Sequence, residues 1–241
     1  STYLLRDENS PIFEATMKAA RLAKKSDIPI IFSMGTTHLI EEKKDFFKKF
    51  IADYANILAM NESEAFALTS ESDPLLSSRE LLEISDMVLL TVGNRGLYLS
   101  GYCDKDLLRK TRDQIHTKSI SQYNKYEYSR PMQKKSCKNP IKVYTHINPY
   151  LGGPGRVVNT NGAGDAACAA LLHDLAANSY HQKILPKSPK HMASFLTYCS
   201  FHQISKYANR VSYEVLKQNS PRLRKGLPEK EDCLEEAYWA R

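Results

Sequence analysis

The chain has 241 residues, of which 42% are hydrophobic, and this suffices for one sizeable buried core. Its net charge of +7 is spread along the chain in short runs such as Lys43-Lys44 and Lys48-Lys49, which are typical of solvated helix faces. We therefore expect no nucleic-acid partner, although a basic balance would attract small anionic ligands.

The cysteines and the hydropathy pattern indicate the cellular compartment of the protein. No apolar run approaches the roughly 20 residues of a membrane span, and no signal peptide is recognisable. We therefore expect a cytoplasmic protein without a membrane partner, for which a homo-oligomer is an open option. The odd, scattered set of cysteines lacks the spacing of metal ligands and indicates reduced thiols: Cys103, Cys137, Cys168, Cys199 and Cys233.

The first part of the chain predicts alternating strands and helices. Residues 2–6 predict a strand end that leads into a loop, which would place Arg6 at the mouth of a parallel sheet. Apolar residues near helical spacing predict a helix over residues 13–25. Residues 28–32 form a short apolar run, as buried parallel strands do, and a second helix is predicted over residues 41–54.

An acid and an amide follow the apolar run of residues 57–60. Asn61, with Glu64 three residues later, forms a variant of the capping box, which satisfies backbone donors at a helix start without any ligand. The same two side chains could also serve a ligand. The pattern alone leaves both roles open, and they do not exclude each other.

A β-hairpin is predicted from residues 87–91 and 97–99, which are joined by V-G-N-R-G. A structural turn alone would explain its glycines, Gly93 and Gly96.

Residues 103–140 break this alternation with a polar, lysine-rich stretch that we interpret as an insertion. Within it, residues 123–128 interleave tyrosine and lysine, which could indicate a nucleic-acid surface, but strand alternation is the favoured interpretation. Strand character returns at residues 142–147. The alternation of strands and helices predicts an α/β fold in which a parallel sheet is covered on both faces.

Residues 159–165, N-T-N-G-A-G-D, are the most informative segment and predict a strand end, a turn and a helix start. Gly162 and Gly164 have no Cβ atoms, so a phosphate could approach the backbone amides of Gly162, Ala163 and Gly164 closely. The carboxylate of Asp165 would then lie directly beside an anion site.

Three roles are open for Asp165. It could complement the positive helix terminus. The G-x-G-x-x-A pattern could belong to a dinucleotide site, but the required strand and acid do not follow, since the helix runs into residues 178–181 and a Pro/Lys loop. It could also be a general base that takes a proton from a substrate hydroxyl while the amides stabilise a phosphoryl group. A further long helix is predicted over residues 191–217.

Residues 159–165 resemble the second signature of the ribokinase, or carbohydrate and nucleoside kinase, superfamily, D-T-x-G-A-G-D. Longer stretches are similar to the inosine–guanosine kinase family within it, and the likeness covers nearly the whole chain. This resemblance implies a ribokinase-like three-layer αβα sandwich with a mostly parallel sheet. The stretches that carry it are residues 57–62, 70–76, 206–213 and 226–232.

The resemblance also implies roles for individual residues. Asp165 would be the general base, and the amides of Gly162, Ala163 and Gly164 would hold the transferring phosphoryl group. Glu64 would help to hold Mg²⁺. The residues expected to contact ATP are Asn61, Glu64, Thr91, Gly93, Gly96, Asn161 and Asn209.

Two further positions follow from the resemblance. Arg6 matches an arginine of the inosine–guanosine kinase family and would contact the nucleoside. Asn159 replaces the first aspartate of the signature, which commonly belongs to a monovalent-cation site. An amide oxygen can coordinate K⁺ but brings no charge, so a K⁺ requirement is left open.

Relatives begin with an N-terminal half that supplies the first strands, a G-G signature and a small β lid. The present chain shows none of these features. We therefore expect residues 1–241 to be the C-terminal portion of one kinase domain, with residues 103–140 inserted in it. The implied function is phosphorylation of the 5′-hydroxyl of inosine or guanosine by ATP, in purine salvage, although this shortened chain need not be active alone. A sugar kinase or a non-catalytic nucleotide-binding fragment are the alternatives.

Overall fold

The computed structural model describes residues 1–111, 119–149, 154–187, 200–224 and 226–227. Its centre is a five-stranded sheet whose strands lie in chain order. The strands are β1 (Ile31–Ser33), β2 (Ile57–Asn61), β3 (Met87–Thr91), β4 (Leu97–Asp104) and β5 (Pro140–Ile147). β1, β2 and β3 pair in parallel, whereas β4 is antiparallel to both β3 and β5. All strands except β4 therefore run in one direction, as the predicted mostly parallel sheet requires.

Helices cover both faces of this sheet. They are α1 (Pro11–Lys25), α2 (Thr37–Glu42), α3 (Lys44–Tyr54), α4 (Glu62–Thr69), α5 (Pro74–Leu81), α6 (Ala163–Ile184) and α7 (Phe201–Leu216). None of the helices in the described ranges is long and apolar enough to cross a lipid bilayer.

The side chains of β2 alternate between two hydrophobic cores. Leu58 and Met60 pack in the core that contains buried residues of α1 to α5. Ile57 and Ala59 pack in the opposite core, with residues of α6 and α7. Because successive strand residues point to opposite faces, one short apolar strand serves both cores. This arrangement confirms the predicted three-layer αβα architecture.

The second helical region buries one face of α3 in the core. Phe47, Phe50 and Ile51 on α3 are buried, and the rings of Phe32 and Phe50 have centroids 5.0 Å apart. Full burial of such a side chain contributes about 1.5–3 kcal/mol to folding. The single helix predicted over residues 41–54 is instead the end of α2 followed by α3, because the chain leaves helical geometry at Lys43.

Other predicted elements near the N-terminus are partly wrong. Residues 2–6 are not a strand end, because Thr2–Leu5 is a 3₁₀ helix that buries Thr2 and Leu5 on one side. The strand predicted over residues 28–32 begins only at Ile31, since Ile28 is exposed and Pro29 has no N–H to donate. The helix predicted over residues 13–25 and the antiparallel hairpin are confirmed.

The polar stretch is bounded by β4, which continues to Asp104, and β5, which begins at Pro140. Strand alternation over residues 123–128 is wrong, because turns fill this segment and Tyr123 forms only an isolated bridge with Tyr144. Asn124 has a φ of +53°, which interrupts any strand there.

The last two helices also differ from the prediction. α6 continues through residues 178–181 to Ile184, where a loop was expected. α7 begins at Phe201 with Ser200 as its N-cap; residues 191–199 of the helix predicted there lie outside the described residues.

Candidate active site

The carboxyl ends of β2 and β3 bring the first candidate residues together. Asn61 ends β2 and lies in register with Thr91, which ends β3. Since β5 runs in the same direction, its last residue, Ile147, reaches the same edge of the sheet and pairs with Leu97. Carboxyl ends of strands in open α/β sheets are where ligands bind, so this edge is the place to look for a site.

Asn61 and Glu64 form a complete capping box at the start of α4. The Asn61 side-chain oxygen accepts the Glu64 amide at 2.9 Å, and the Glu64 carboxylate accepts the Asn61 amide at 2.9 Å. The structural role that the sequence allowed is therefore confirmed. Whether the same residues also contact a ligand stays a prediction.

Glu64 has a perturbed carboxyl group. Its side chain is buried, and this burial raises its pKa above the usual range, a shift that the Asn61 amide partly opposes. The charge of Asp165 also raises the pKa of Glu64. Asp165 lies in the first turn of α6, so the fold brings two candidate acids, distant in sequence, to one place.

The turn between β3 and β4 is a 3₁₀ helix, Gly93–Arg95, closed by the Val92 amide, which donates to the Gly96 carbonyl at 2.9 Å. Gly93 has a φ of +53°, and a Cβ added there would meet nothing within 4 Å. Its amide and that of Asn94 have no acceptor among the described residues. A ligand could therefore approach this backbone.

Gly96 is required for a different reason from the one predicted. Its φ is +93°, and a Cβ added there would overlap the Ile147 carbonyl oxygen at 2.0 Å. Hence the close approach shown at Gly96 is that of the chain after β5. Contact between Gly96 and a nucleotide stays a prediction, as does a hydroxyl contact from Thr91, whose Oγ1 lies 3.5 Å from the Met60 carbonyl.

Asn159 shapes the turn that precedes α6. Its side-chain oxygen accepts the Asn161 amide at 2.9 Å, and its side-chain nitrogen donates to the Asn219 carbonyl at 3.0 Å. Gly162 has a φ of +80°, and an added Cβ would lie 2.7 Å from the Pro221 carbonyl oxygen. Glycine at this position is therefore needed for the backbone conformation and for packing.

The amino end of α6 presents open backbone donors. The amides of Gly162, Gly164 and Asp165 have no acceptor within the ranges that the structure describes, and a Cβ added at Gly164 would meet nothing within 4 Å. The Ala163 amide makes only a long contact, 3.5 Å, with the Thr160 carbonyl. Unpaired amides at a helix start, with the helix dipole behind them, can bind an anion.

Helix α7 supports both neighbouring segments. Ser212 donates its hydroxyl to the Ala163 carbonyl at 2.9 Å, and the buried side chain of Asn209 donates to the Asn148 carbonyl at 2.7 Å. Asn209 thus fixes the chain after β5. Its predicted contact with ATP stays a prediction.

Arg6 is not brought into this group. Its side chain is exposed after the first 3₁₀ helix, and it makes no hydrogen bond or ion pair with any described residue. Its nucleoside contact stays a prediction.

Sequence reasoning missed the ion pair between Arg95 and Glu62, which joins the turn after β3 to the start of α4. The two residues are 33 positions apart, and no local pattern signals their contact.

The sheet and its flanking helices define an α/β protein with a ribokinase-like fold. The solved adenosine kinase of Sinorhizobium meliloti aligns with 92% of the chain at a TM-score of 0.58 and 16% identity. The aminoimidazole riboside kinase of Salmonella enterica, solved with aminoimidazole riboside and an ATP analogue, aligns with 91% at a TM-score of 0.54 and 16% identity. The chain covers 49% and 55% of these two structures, and at such identities the likeness shows the fold alone.

A much higher similarity links the chain to particular proteins. It is 52% identical over its full length to the guanosine-inosine kinases of Escherichia coli strains K12 and O157:H7. The resemblance to the inosine–guanosine kinase family is thereby confirmed. The chain spans 56% of the length of these relatives. A comparison with models of known protein families finds no match.

Proposed function

We propose that this chain carries the ATP-binding and phosphoryl-transfer part of a purine nucleoside kinase. The reaction is transfer of the γ-phosphate of ATP to the 5′-hydroxyl of inosine or guanosine, which gives IMP or GMP and ADP. One observation carries the proposal. The exposed carboxylate of Asp165 lies at the start of α6, beside the backbone amides of Gly162 and Gly164, which have no acceptor among the described residues. The 52% identity, over the whole of this chain, to guanosine-inosine kinases supports the choice of nucleoside.

Asp165 is the general base of the proposed reaction. It takes the proton of the 5′-hydroxyl as the new oxygen–phosphorus bond forms and the bond between the γ-phosphorus and the β-phosphate oxygen breaks. The position suits this task because the side chain is exposed and lies in the first helical turn. Burial is the main cause that raises the pKa of Glu64, and the charge of Asp165 raises it further, so the proposed base and the proposed Mg²⁺ residue lie within electrostatic reach of each other.

The amides of Gly162, Ala163 and Gly164 hold the transferring phosphoryl group. Donors that are fixed before the reaction stabilise charge on that group without reorganising. The hydrogen bond from Ser212 to the Ala163 carbonyl and the packing of Gly162 on Pro221 keep this turn in place.

The ATP phosphates lie along the carboxyl ends of β2 and β3. The open backbone at Gly93 supports this placement, because nothing within 4 Å would block a ligand there. The proposed ATP contacts are Asn61, Glu64, Thr91, Gly93, Gly96, Asn161 and Asn209.

Glu64 is the residue proposed to act on Mg²⁺, and its chemistry fits. Carboxylate oxygens are preferred ligands of Mg²⁺, and a buried carboxyl with a raised pKa gains from a nearby cation. When bound, the ion neutralises charge on the polyphosphate. Glu64 itself remains fixed by the Asn61 amide, so its carboxylate is held in one orientation.

Two assignments in the proposed site come from the family resemblance. Arg6 contacts the nucleoside, and Asn159 occupies the position of an acidic cation ligand. Both oxygen and nitrogen of the Asn159 side chain already bond to the protein backbone, which favours a structural role over K⁺ binding.

A direct assay tests the proposed function. The full-length protein is incubated with ATP and, separately, guanosine, inosine, ribose and fructose, and the phosphorylated products are separated. Formation of GMP and IMP is the expected result. Phosphorylation of ribose or fructose but not of guanosine would assign a sugar kinase instead.

An assay of the present chain alone tests the remaining alternative, a non-catalytic nucleotide-binding fragment. ATP binding measured by calorimetry, without product from guanosine, would identify it as a nucleotide-binding fragment. Product formation by the chain alone would show that residues 1–241 contain a sufficient acceptor site.

A further inference from the structure

A histidine and a tyrosine that the proposed reaction does not use lie against the turn after β3. His146, the penultimate residue of β5, has its ring Nε2 2.7 Å from the Arg95 carbonyl oxygen. Its Nδ1 lies 3.2 Å from the Tyr123 hydroxyl. The ring of Tyr98 covers His146, with centroids 4.4 Å apart. The imidazole is thus held on three sides and reaches the turn backbone directly.

The partners assign the tautomer of His146. A carbonyl oxygen can only accept, so Nε2 carries the proton and donates it to Arg95. Nδ1 of the neutral ring is then an acceptor, which the Tyr123 hydroxyl satisfies as donor. Tyr123 is buried, and this burial is the main cause that raises its pKa to about 12, so its proton is present at neutral pH.

The backbone fixes Tyr123 and His146 relative to each other. The His146 amide donates to the Asn124 side-chain oxygen at 2.8 Å, and the Asn124 amide donates to the Tyr144 carbonyl at 2.8 Å. The polar segment after β4 is therefore anchored on β5 at the place where it supplies Tyr123.

The contact with Arg95 lies within the turn whose outer amides are open. The Arg95 amide closes the turn by donating to the Val92 carbonyl at 2.9 Å, while its side chain pairs with Glu62 on α4. Holding the Arg95 carbonyl sets the orientation of the peptide that links Arg95 to Gly96. The open amides of Gly93 and Asn94 lie in the same short 3₁₀ turn.

We infer that Tyr123 and His146 are positioning residues, which orient the Gly93–Arg95 turn for the phosphates of ATP through the hydrogen bond from His146 to the Arg95 carbonyl. This inference rests on the proposed function, because that function places ATP along this turn. Neither residue touches the reacting atoms. Their effect is on how well the turn amides are aligned before ATP binds.

Four variants of the full-length protein test the inference. H146M removes both ring nitrogens at similar size, whereas H146Q can place its amide nitrogen where Nε2 lies and donate to Arg95. Y123F removes one hydroxyl without other change. The matched control is H173M, at an exposed histidine on α6.

The readouts are the KM for ATP, the KM for guanosine, kcat and the Kd for ATP from calorimetry. H146M is expected to raise the KM and Kd for ATP roughly tenfold, the usual effect of one hydrogen bond lost to a fixed partner. Y123F raises both by a smaller factor, and H146Q stays within roughly twofold of the wild type. The KM for guanosine is unchanged in all of them, as is every parameter in H173M.

Unchanged ATP binding in H146M and Y123F overturns the inference. So does equal loss in H146Q and H146M, because the ring would then act by packing alone. If H146M does not fold, as judged by thermal unfolding, Y123F and H146Q carry the same decision. If H146M weakens ATP binding but the wild type phosphorylates no nucleoside, this inference stands and the proposed function is wrong. If the wild type binds no ATP, both are overturned.

Discussion

Glu64 and Asp165 lie on helices that cover opposite faces of the sheet. Burial is the main cause that raises the pKa of Glu64, and the negative charge of Asp165 raises it further. The two acids differ in their surroundings. Glu64 is buried and receives a backbone amide, whereas Asp165 is exposed at a helix start. Because their surroundings differ, the two acids at this edge of the sheet suit the different roles proposed for them. Glu64 would bind a cation, and Asp165 would accept a proton.

We expect D165N to lower kcat by about 100- to 10,000-fold, the usual contribution of a positioned general base. Asparagine keeps the shape and the polarity of the side chain but cannot take the proton. The Kd for ATP, measured by calorimetry, should change little, since the amides that bind phosphate remain.

The control for D165N is D45N. Asp45 is also an exposed acid in the first turn of a helix, α3, so a role limited to the helix dipole would give similar changes in the two variants. Near-normal kcat in D165N would remove Asp165 from the role of base.

We expect E64Q to become relatively more stable than the wild type as pH rises. Burial raises the pKa of Glu64, so the folded protein holds this proton more tightly than the unfolded chain does. Its contribution to the free energy of unfolding is therefore present below the ordinary pKa of 4.5 and is lost as pH rises through the folded-state pKa. Glutamine does not titrate and can keep the bond to the Asn61 amide.

Thermal unfolding of both proteins across this pH range measures the effect. The difference in Tm, variant minus wild type, should increase between pH 4.5 and neutral pH. The same variant should need more Mg²⁺ for half-maximal activity, because the carboxylate charge is gone. A Tm difference independent of pH would contradict the assigned burial of the Glu64 charge, and an unchanged Mg²⁺ requirement would leave Glu64 with its capping role only.

The sequence predicted those parts of the fold in which hydrophobic periodicity and helix caps agree. α1 carries a serine cap followed by proline, and β2 and β3 are unbroken apolar runs. The segment over residues 2–6 was mispredicted because its burial depends on tertiary contacts. Thr2 packs against Gly35, and a Cβ added at Gly35 would lie only 2.7 Å from Thr2 Oγ1.

The motifs of the candidate site could be recognised in the sequence, but the tertiary contacts that hold them in place could not. Glycines and acids at fixed spacing identify the turn before α6 and the start of α4, because the backbone conformation there is encoded locally. The contacts from Ser212 to Ala163 and from His146 to Arg95 join residues 49 and 51 positions apart. No local pattern encodes such pairs, so only the folded chain shows them.

We expect N159D to destabilise the turn before α6. The Asn159 side-chain nitrogen donates to the Asn219 carbonyl, and an aspartate would place an acceptor against that acceptor. Loss of this bond should cost about 1 kcal/mol in the free energy of unfolding, measured by urea denaturation. The control is N159S, which removes both side-chain amide bonds without adding charge. A larger loss of unfolding free energy in N159D than in N159S indicates repulsion. If K⁺, but not choline, restores the stability of N159D, the new charge creates a cation site. Equal stability of N159D and wild type would contradict the bond to Asn219.

Gly162 and Gly164 should respond oppositely to alanine, although they are two residues apart. G162A places a Cβ against the Pro221 carbonyl at a φ of +80°, so it should lower the free energy of unfolding by at least about 1–2 kcal/mol from backbone conformation alone. The Cβ of G164A meets nothing within 4 Å and lies inside α6, where alanine should stabilise by up to about 1 kcal/mol.

The same substitution tests the phosphate contact. If the Gly164 amide holds the transferring phosphoryl group, the added methyl of G164A crowds that group. In that case G164A should lose more than about tenfold in kcat without any loss in the free energy of unfolding. Urea denaturation and steady-state kinetics on both variants decide: full activity in a stable G164A would mean that phosphate does not approach this amide.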